Sequence, residues 1–375
     1  TDNFARTYGN EFVEVIHRLG FDATIVWASD LYDAGHYDEW IVKACEYPEK
    51  IADIYKKISG SDKGEEWNPL QMVCEGCGKV GTTTVTEFDG KMATYRCEPN
   101  KVKWAVGCGY EGKASPFKGK GKLPWKVEWA VKWAGFPRPD GKSPVDHQTA
   151  QRGQAAVAAP AYGVDVEGSG KDHNAAGGSH DVSEAIAREV LNITPPFNIP
   201  YEFFLFGGAK MSASKGLGAT AKEVADSMPP ELLRFLMVRT RPNQPIDFSM
   251  DNDTVPRLYD NHDECGRIYF ETLAAKNDRD AMPETPDLGQ AYYYAQLDPE
   301  KITPHYFPRF SRMAFTVQLP HLEALKEVEK MKGASLIPAD IQEAEERAEY
   351  AQKWLKNFAG DNAKFTIQST LPELA

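Results

Sequence analysis

Apolar residues recur three or four positions apart from Phe4 through Tyr8, Phe12, Val13, Ile16 and Leu19, which predicts an amphipathic helix ending at Gly20. The apolar run Ala23-Thr24-Ile25-Val26-Trp27-Ala28 follows and predicts a strand of parallel type. From Asp38 to Lys57, Trp40, Ile41, Ala44, Ile51, Ile54 and Tyr55 share one face of a predicted helix, with charged residues on the other. Alternating strand and helix argue for an α/β unit. Ser59 to Asn68 is a polar linker.

The pattern changes after residue 70. Thr82–Thr86 and Met92–Tyr95, joined by the turn Asp89-Gly90, predict a β-hairpin. Next comes the basic, flexible loop Lys118–Lys122. Pro124 opens a predicted helix on which Trp125, Trp129 and Trp133 share a face, and packing into the core is the expectation for at least two of them. Residues 135–161 form a turn-rich segment with a predicted helix over Val145–Ala159; Asp146-His147 inside it is expected at the surface. Gly163–Glu167 predicts a strand that runs into the loop Gly168-Ser169-Gly170-Lys171-Asp172-His173, and Ser183–Leu191 a helix. Gly177–Asp181 reads as a second loop of close approach. Ile199–Phe206 predicts one buried strand and Ala219–Met228 a helix; a helical stretch over Glu223–Arg239 is broken at Pro229-Pro230. The remainder predicts helices over Val255–Leu273, Pro308–Val317, His321–Lys332 and Ala339–Phe358.

Length and composition narrow the classes. A chain of 375 residues is too long for one ordinary domain. A hydrophobic fraction of 42% supports packed cores, and no run reaches the length of a membrane span. The net charge of −12 means that contact with a nucleic acid rests on local basic patches. Six cysteines without a secretion signal suit a reducing, cytoplasmic setting, where clustered thiols favour metal over disulfides. The chain begins without Met, inside a helix, which suggests an excerpt of a longer protein.

Three stretches carry candidate chemistry. Cys74 and Cys77 form a Cys-x-x-Cys pair, followed by Cys97 and Cys108. Four thiolates around a hairpin suit tetrahedral zinc, with Gly76 and Gly78 letting the backbone turn toward the ion; a redox pair or unrelated buried thiols are the alternatives. Cys45 and Cys265 stand alone in helical patterns and read as small buried residues. The loop Gly170-Lys171-Asp172-His173 delivers polar groups at the end of a strand, where open α/β sheets bind ligands; a surface turn is the alternative. The Asp can accept from a ribose hydroxyl and the His can donate to a phosphate. Lys210-Met211-Ser212-Ala213-Ser214-Lys215-Gly216 lies on a loop between a strand and a helix. Its ammoniums and hydroxyls suit a polyanion, although a solvated loop would have a similar composition.

Taken together, the four cysteines, Gly-Lys-Leu-Pro-Trp-Lys-Val-Glu-Trp at 121–129, Gly-Lys-Asp-His at 170–173, Pro-Tyr-Glu-Phe-Phe at 200–204 and the Lys-Met-Ser motif resemble class I lysyl-tRNA synthetases. The resemblance runs from Phe4 to the C-terminal end in motif order and spacing. It implies a Rossmann-type nucleotide-binding catalytic domain carrying a zinc-binding insertion, followed by an α-helical region that begins the anticodon-binding part. The implied layout assigns 1–69 and 118–250 to the catalytic domain, 70–117 to the zinc insertion and 251–375 to the helical region. The implied activity is ATP-dependent activation of lysine, with Mg2+, and its ligation to tRNA(Lys) through lysyl-adenylate. The implied ATP-binding residues are Gly170, Asp172, His173, Lys210, Met211, Ser212, Ser214 and Lys215, with Lys210 and Lys215 as the catalytic pair. Trp125, Trp129 and Tyr201 are candidates for lysine binding, and Cys74, Cys77, Cys97 and Cys108 for structural zinc. The companion His-Ile-Gly-His signature is absent and is expected upstream of residue 1, residues 135–161 read as an insertion, and the anticodon region reads as cut short. The other function class is a non-catalytic zinc-stabilised module, descended from such an enzyme, that binds tRNA or protein. No membrane partner is expected.

Overall fold

The computed structural model describes residues 4–136, 163–210, 218–250, 253–276 and 283–365. The predicted helix over Val145–Ala159, with Asp146 and His147, lies outside them. The chain divides into a middle unit, Thr24–Tyr201, and a terminal unit, Thr1–Ala23 with Glu202–Ala375. The first helix, α1 (Phe4–Arg18), belongs to the terminal unit.

The middle unit begins with α2 (Ala28–Asp33), α3 (Asp38–Glu46) and α4 (Pro48–Ser59). The strand expected over Ala23–Ala28 is not formed. An apolar run becomes a strand only where a neighbouring backbone completes its hydrogen-bond ladder, and no described strand pairs with this one. The helical pattern expected over Asp38–Lys57 is divided between α3 and α4. Pro48 has no N–H to continue α3, and its fixed φ starts α4 at the first helical position. The predicted apolar face is the one that packs: Ile41, Ala44, Ile51, Ile54 and Tyr55 are buried.

Next come β1 (Gln71–Met72), β2 (Thr83–Phe88), β3 (Ala93–Cys97), β4 (Glu111–Ala114) and β5 (Gly121–Lys122). Strands β2, β3 and β4 form an antiparallel sheet in that order, with a bulge between Val85 and Glu87, and β1 pairs antiparallel with β5. The expected hairpin is therefore present and gains a third strand. Helix α5 (Trp125–Lys132), β6 (Val166–Gly170), α6 (Ser179–Ile186) with its π-helical extension Ala187–Leu191, and β7 (Phe197–Tyr201) complete the unit. Strands β6 and β7 run parallel from Val166↔Phe197 to Gly170↔Tyr201, joined across α6 in a βαβ crossover. Val127, Ala130 and Val131 of α5 pack with Val182, Ile186 and Ala187 in the core beneath it.

In the terminal unit β8 (Phe204–Phe206) lies between β9 (Ala209–Lys210), antiparallel, and β10 (Ile246–Phe248), parallel. The single buried strand expected over Ile199–Phe206 is corrected to two, β7 and β8, in different sheets. They part at Glu202, whose N–H donates to the Pro242 carbonyl at 2.8 Å. Nor is the stretch buried: Ile199 is 38% and Tyr201 51% exposed. Helix α7 (Ala221–Ser227) starts at a capping box of Thr220 and Glu223, and α8 (Pro230–Val238) restarts after Pro229. Helices α9 (Thr254–Ala274), α10 (Pro286–Ala295), α11 (Phe310–Thr316), α12 (Ala324–Lys332) and α13 (Pro338–Asn357) follow; α10 has no counterpart among the expected helices. Deep among them Arg347 donates to both Asp263 oxygens, at 2.7 and 2.5 Å, and to the Pro308 carbonyl at 2.7 Å. This two-pronged pairing keeps the guanidinium and carboxylate charged although both are buried. No helix among the described residues is long and apolar enough to cross a membrane.

Candidate functional site and metal centre

The Sγ atoms of Cys74, Cys77, Cys97 and Cys108 all lie within 4.8 Å of one another. Cys74 and Cys108 are 3.6 Å apart and Cys77 and Cys97 3.8 Å apart, sulfur to sulfur. Zinc–sulfur bonds of about 2.3 Å in a tetrahedron put the sulfurs about 3.8 Å apart, so this donor set fits zinc. Local backbone geometry builds the cluster. The Gly78 N–H bonds the Cys74 carbonyl at 2.7 Å and the Cys74 N–H bonds the Lys79 carbonyl at 2.9 Å, closing a knuckle in which Gly78 takes φ +71°. Gly76 is needed for room, since a Cβ there would sit 3.2 Å from the Cys108 sulfur. Register places Cys97 at the end of β3, opposite Thr83. The loop that follows returns Cys108, whose N–H points at the Cys97 sulfur at 3.3 Å.

The thiols are not equivalent. Burial pushes Cys74 up to about 12. Burial also opposes ionisation of Cys97, but hydrogen bonds from the Thr82 hydroxyl and the Cys108 N–H outweigh it and lower that thiol to about 7. Cys97 is thus the first of this pair to become a thiolate. Elsewhere, Cys265 is buried as expected, whereas Cys45 is only partly buried and its Sγ lies 3.4 Å from Asn68 Oδ1.

A second cluster forms where β6 and β7 end. Trp125, Trp129 and Trp133 stack along α5 with ring centroids 5.8 and 6.0 Å apart. Trp133 is 2% exposed, Trp129 is half-buried and Trp125 is 52% exposed. As expected for two of the three, Trp133 lies in the core and Trp129 packs half-buried against it, while Trp125 is left exposed. His173 meets the two outer rings edge-on, 5.7 Å from Trp125 and 5.6 Å from Trp129. Tyr201 closes the other side; a Cβ on Gly170 would lie 3.8 Å from its ring and 3.9 Å from His173. The structure thus brings Trp125, Trp129, His173, Gly170 and Tyr201 into one neighbourhood.

Polar side chains support this loop. Asn174 Nδ2 donates to the Ser169 carbonyl, the Ser169 hydroxyl and the Gly170 carbonyl at 2.8–3.0 Å, and Asn198 Nδ2 donates to Asn174 Oδ1 at 2.5 Å. The Lys171 N–H bonds the Tyr201 carbonyl and the His173 N–H the Gly170 carbonyl, so the loop is a tight continuation of the parallel pair. Asp172 lies in it, with Oδ1 3.1 Å from where a Gly170 Cβ would stand. The second loop does approach closely, but onto backbone: a Cβ on Gly177 would meet the Ile58 carbonyl at 2.6 Å, and one on Gly178 the His173 carbonyl at 2.5 Å.

Glu167 is absent from the expected site residues. It accepts from the indole N–H of Trp129 at 2.9 and 3.0 Å, one to each oxygen, and from that of Trp133 at 2.8 Å. The signal was faint but present. In Val166-Glu167-Gly168-Ser169 the polar alternate positions face inward while Val166 is 57% exposed, the reverse of an ordinary half-buried strand.

Lys210 belongs to the terminal unit. Gly207 and Gly208, at φ +58° and +79°, make the two-residue turn between β8 and β9 and deliver Lys210 at the end of β9. Its ammonium lies 4.0 Å from the centre of the Phe203 ring. Met211, Ser212, Ser214 and Lys215 lie outside the described residues.

Residues 1–147 and 159–286 match the family described as tRNA synthetases class I (K); the unmatched 148–158 fall within the segment expected to be an insertion. The chain is 32% identical over 364 residues to a lysine–tRNA ligase of Thermoplasma acidophilum, covering 96% of this chain and 62% of that protein. It is 34% identical over 289 residues to one from Methanocaldococcus jannaschii, covering 76% and 47% respectively. A lysine–tRNA ligase 1 of Methanosarcina acetivorans is 30% identical over 372 residues, covering 99% of this chain and 61% of that protein. The chain thus spans about three fifths or less of the length of these relatives. Among solved structures, Thermus thermophilus arginyl-tRNA synthetase aligns over 96% of this chain and 57% of its own at 14% identity, but a TM-score of 0.24 carries no residue across.

Proposed function

We propose, from the premise that this chain belongs to the tRNA synthetases class I (K), that it is the catalytic portion of a lysine–tRNA ligase working in the cytoplasm. In this reading the lysine carboxylate attacks the α-phosphorus of ATP in line, pyrophosphate leaves, and lysyl-adenylate then esterifies the 3′ end of tRNA(Lys). The work of the protein is positioning and charge stabilisation. Lys210 and Lys215 stabilise negative charge on the departing pyrophosphate, and Met211, Ser212 and Ser214 shape the loop that carries them. Gly170 lets the chain approach the nucleotide closely, Asp172 accepts from a ribose hydroxyl and His173 donates to a polar ligand group. Mg2+ bound together with ATP would supply charge shielding for its phosphates. Residues 1–69 and 118–250 form a Rossmann-type catalytic domain, 70–117 a zinc-binding insertion and 251–375 the start of the anticodon-binding region. Zinc, held by Cys74, Cys77, Cys97 and Cys108, is structural, since four protein ligands leave no open position for chemistry.

The observation that carries this reading is the aromatic corner at the C-terminal ends of two parallel strands, the place where open α/β sheets take their ligands. Trp125, Trp129 and Tyr201 supply apolar walls for an unbranched aliphatic stem, and their ring faces attract a terminal ammonium. Lysine-dependent ATP–pyrophosphate exchange by the natural protein tests it. Replacing Lys210 with Ala slows exchange by about a hundredfold while lysine affinity is unchanged. Exchange at the wild-type rate in both Lys210→Ala and Lys215→Ala would remove the assignment.

A further inference from the structure

The geometry points to Glu167 as the positioning residue that makes the aromatic corner select a protonated side-chain amine; the inference rests on the lysine reading above. Glu167 stands on β6, half-buried, and its two oxygens take three contacts from two indole N–H groups, on Trp129 and Trp133. Among the described residues its carboxylate has no cationic partner. Neutral donors stabilise a carboxylate without cancelling its charge, so a negative potential remains behind the tryptophan wall. The same bonds set the ring positions. Trp129 is held at its N–H by Glu167 and flanked edge-on by His173 at 5.6 Å and His180 at 5.9 Å. Its face is thereby turned to Trp125, with only 18° between the ring planes. An indole whose N–H donates to a carboxylate carries more electron density on its face, which strengthens its attraction for a cation. Glu167 therefore does two things through Trp129: it fixes the wall, and it biases the wall toward positive charge. A pocket of tryptophan alone would accept a neutral chain of the same length nearly as well.

The test uses the 375-residue chain with two probes, L-lysine and its neutral isostere 6-hydroxynorleucine, titrated by tryptophan fluorescence and calorimetry. Glu167→Gln retains an acceptor for the indoles but removes the charge. Its preference for lysine over 6-hydroxynorleucine falls about tenfold, while affinity for the neutral probe stays within about twofold. A merely structural role would weaken both probes together and leave their ratio intact, and that result overturns the inference. Trp129→Phe keeps an apolar ring and removes the N–H, so it lowers the same ratio by a smaller factor; if Glu167→Gln does not fold, an unchanged ratio in Trp129→Phe is overturning. Wild-type chain that binds neither probe at millimolar concentration removes the lysine reading along with this one. Wild-type chain that prefers lysine while Glu167→Gln does so equally removes this inference alone.

Discussion

The middle unit gathers two clusters of chemistry-bearing side chains by opposite means. The four cysteines come from one short segment, residues 74 to 108, and are brought together by a knuckle, a hairpin and a return loop. Nearly every contact that forms the cluster is local. The tryptophan corner draws on α5, β6, the loop after β6 and β7, so it exists only once a parallel crossover has formed. The difference teaches how each would fail. A tetrahedral site loses its purpose when one ligand is missing, whereas a graded aromatic wall loses function and stability in separate pieces.

The largest effect is therefore expected at the cysteines. Metal analysis should find one zinc per chain, and Cys97→Ser or chelation should remove it and unfold the β2–β4 module. Zinc binding of this kind contributes on the order of 10 kcal/mol at neutral pH. Absence of metal, with all six thiols reacting in the native state, contradicts the fit. Because the ligands must be deprotonated, zinc affinity rises with pH, and a chelator competes more successfully in acid.

Next comes the buried end of the wall. Trp133→Ala should lower stability by about 3–5 kcal/mol in denaturant unfolding, through a cavity and the loss of one of the two indole donors to Glu167. Trp125→Ala, at the exposed end, should change stability by no more than about 1 kcal/mol yet weaken lysine binding. Equal stability losses at both positions would erase the gradient. The smallest effect belongs to Thr82→Val, which removes the hydroxyl 3.2 Å from the Cys97 sulfur. It should cost about 1 kcal/mol and raise the Cys97 thiol, so that zinc uptake shifts to higher pH; uptake at unchanged pH would mean the hydroxyl does not tune that sulfur.

Legibility in sequence follows the same division. Cys74, Cys77, Cys97 and Cys108 were identifiable as one set because turn glycines and a hairpin pattern sit between them. Helices in the terminal unit were readable from their 3.6-residue period, apart from α10, whose Tyr292-Tyr293-Tyr294 run masks its apolar face. Ala23–Ala28 and Ile199–Phe206 misled for one reason. An apolar run reports that a segment is compatible with burial, but not whether a partner strand lies beside it or where the chain must bend. Glu167 escaped notice because one acidic residue beside glycines has no periodic signature.

Sequence alone determined the ordered motifs, the set of four clustered cysteines, the helical spacing of Trp125, Trp129 and Trp133, and through them the family. These depend on residue type and on separations along the chain, which local backbone geometry turns directly into structure. Only the tertiary structure decided which tryptophan is buried, that His173 and Tyr201 border the same glycine, and that Glu167 receives two indole N–H groups. Those contacts join residues far apart in the chain. Their geometry is set by how α5 packs beside the β6–β7 pair, which the spacing of residues along the chain does not encode.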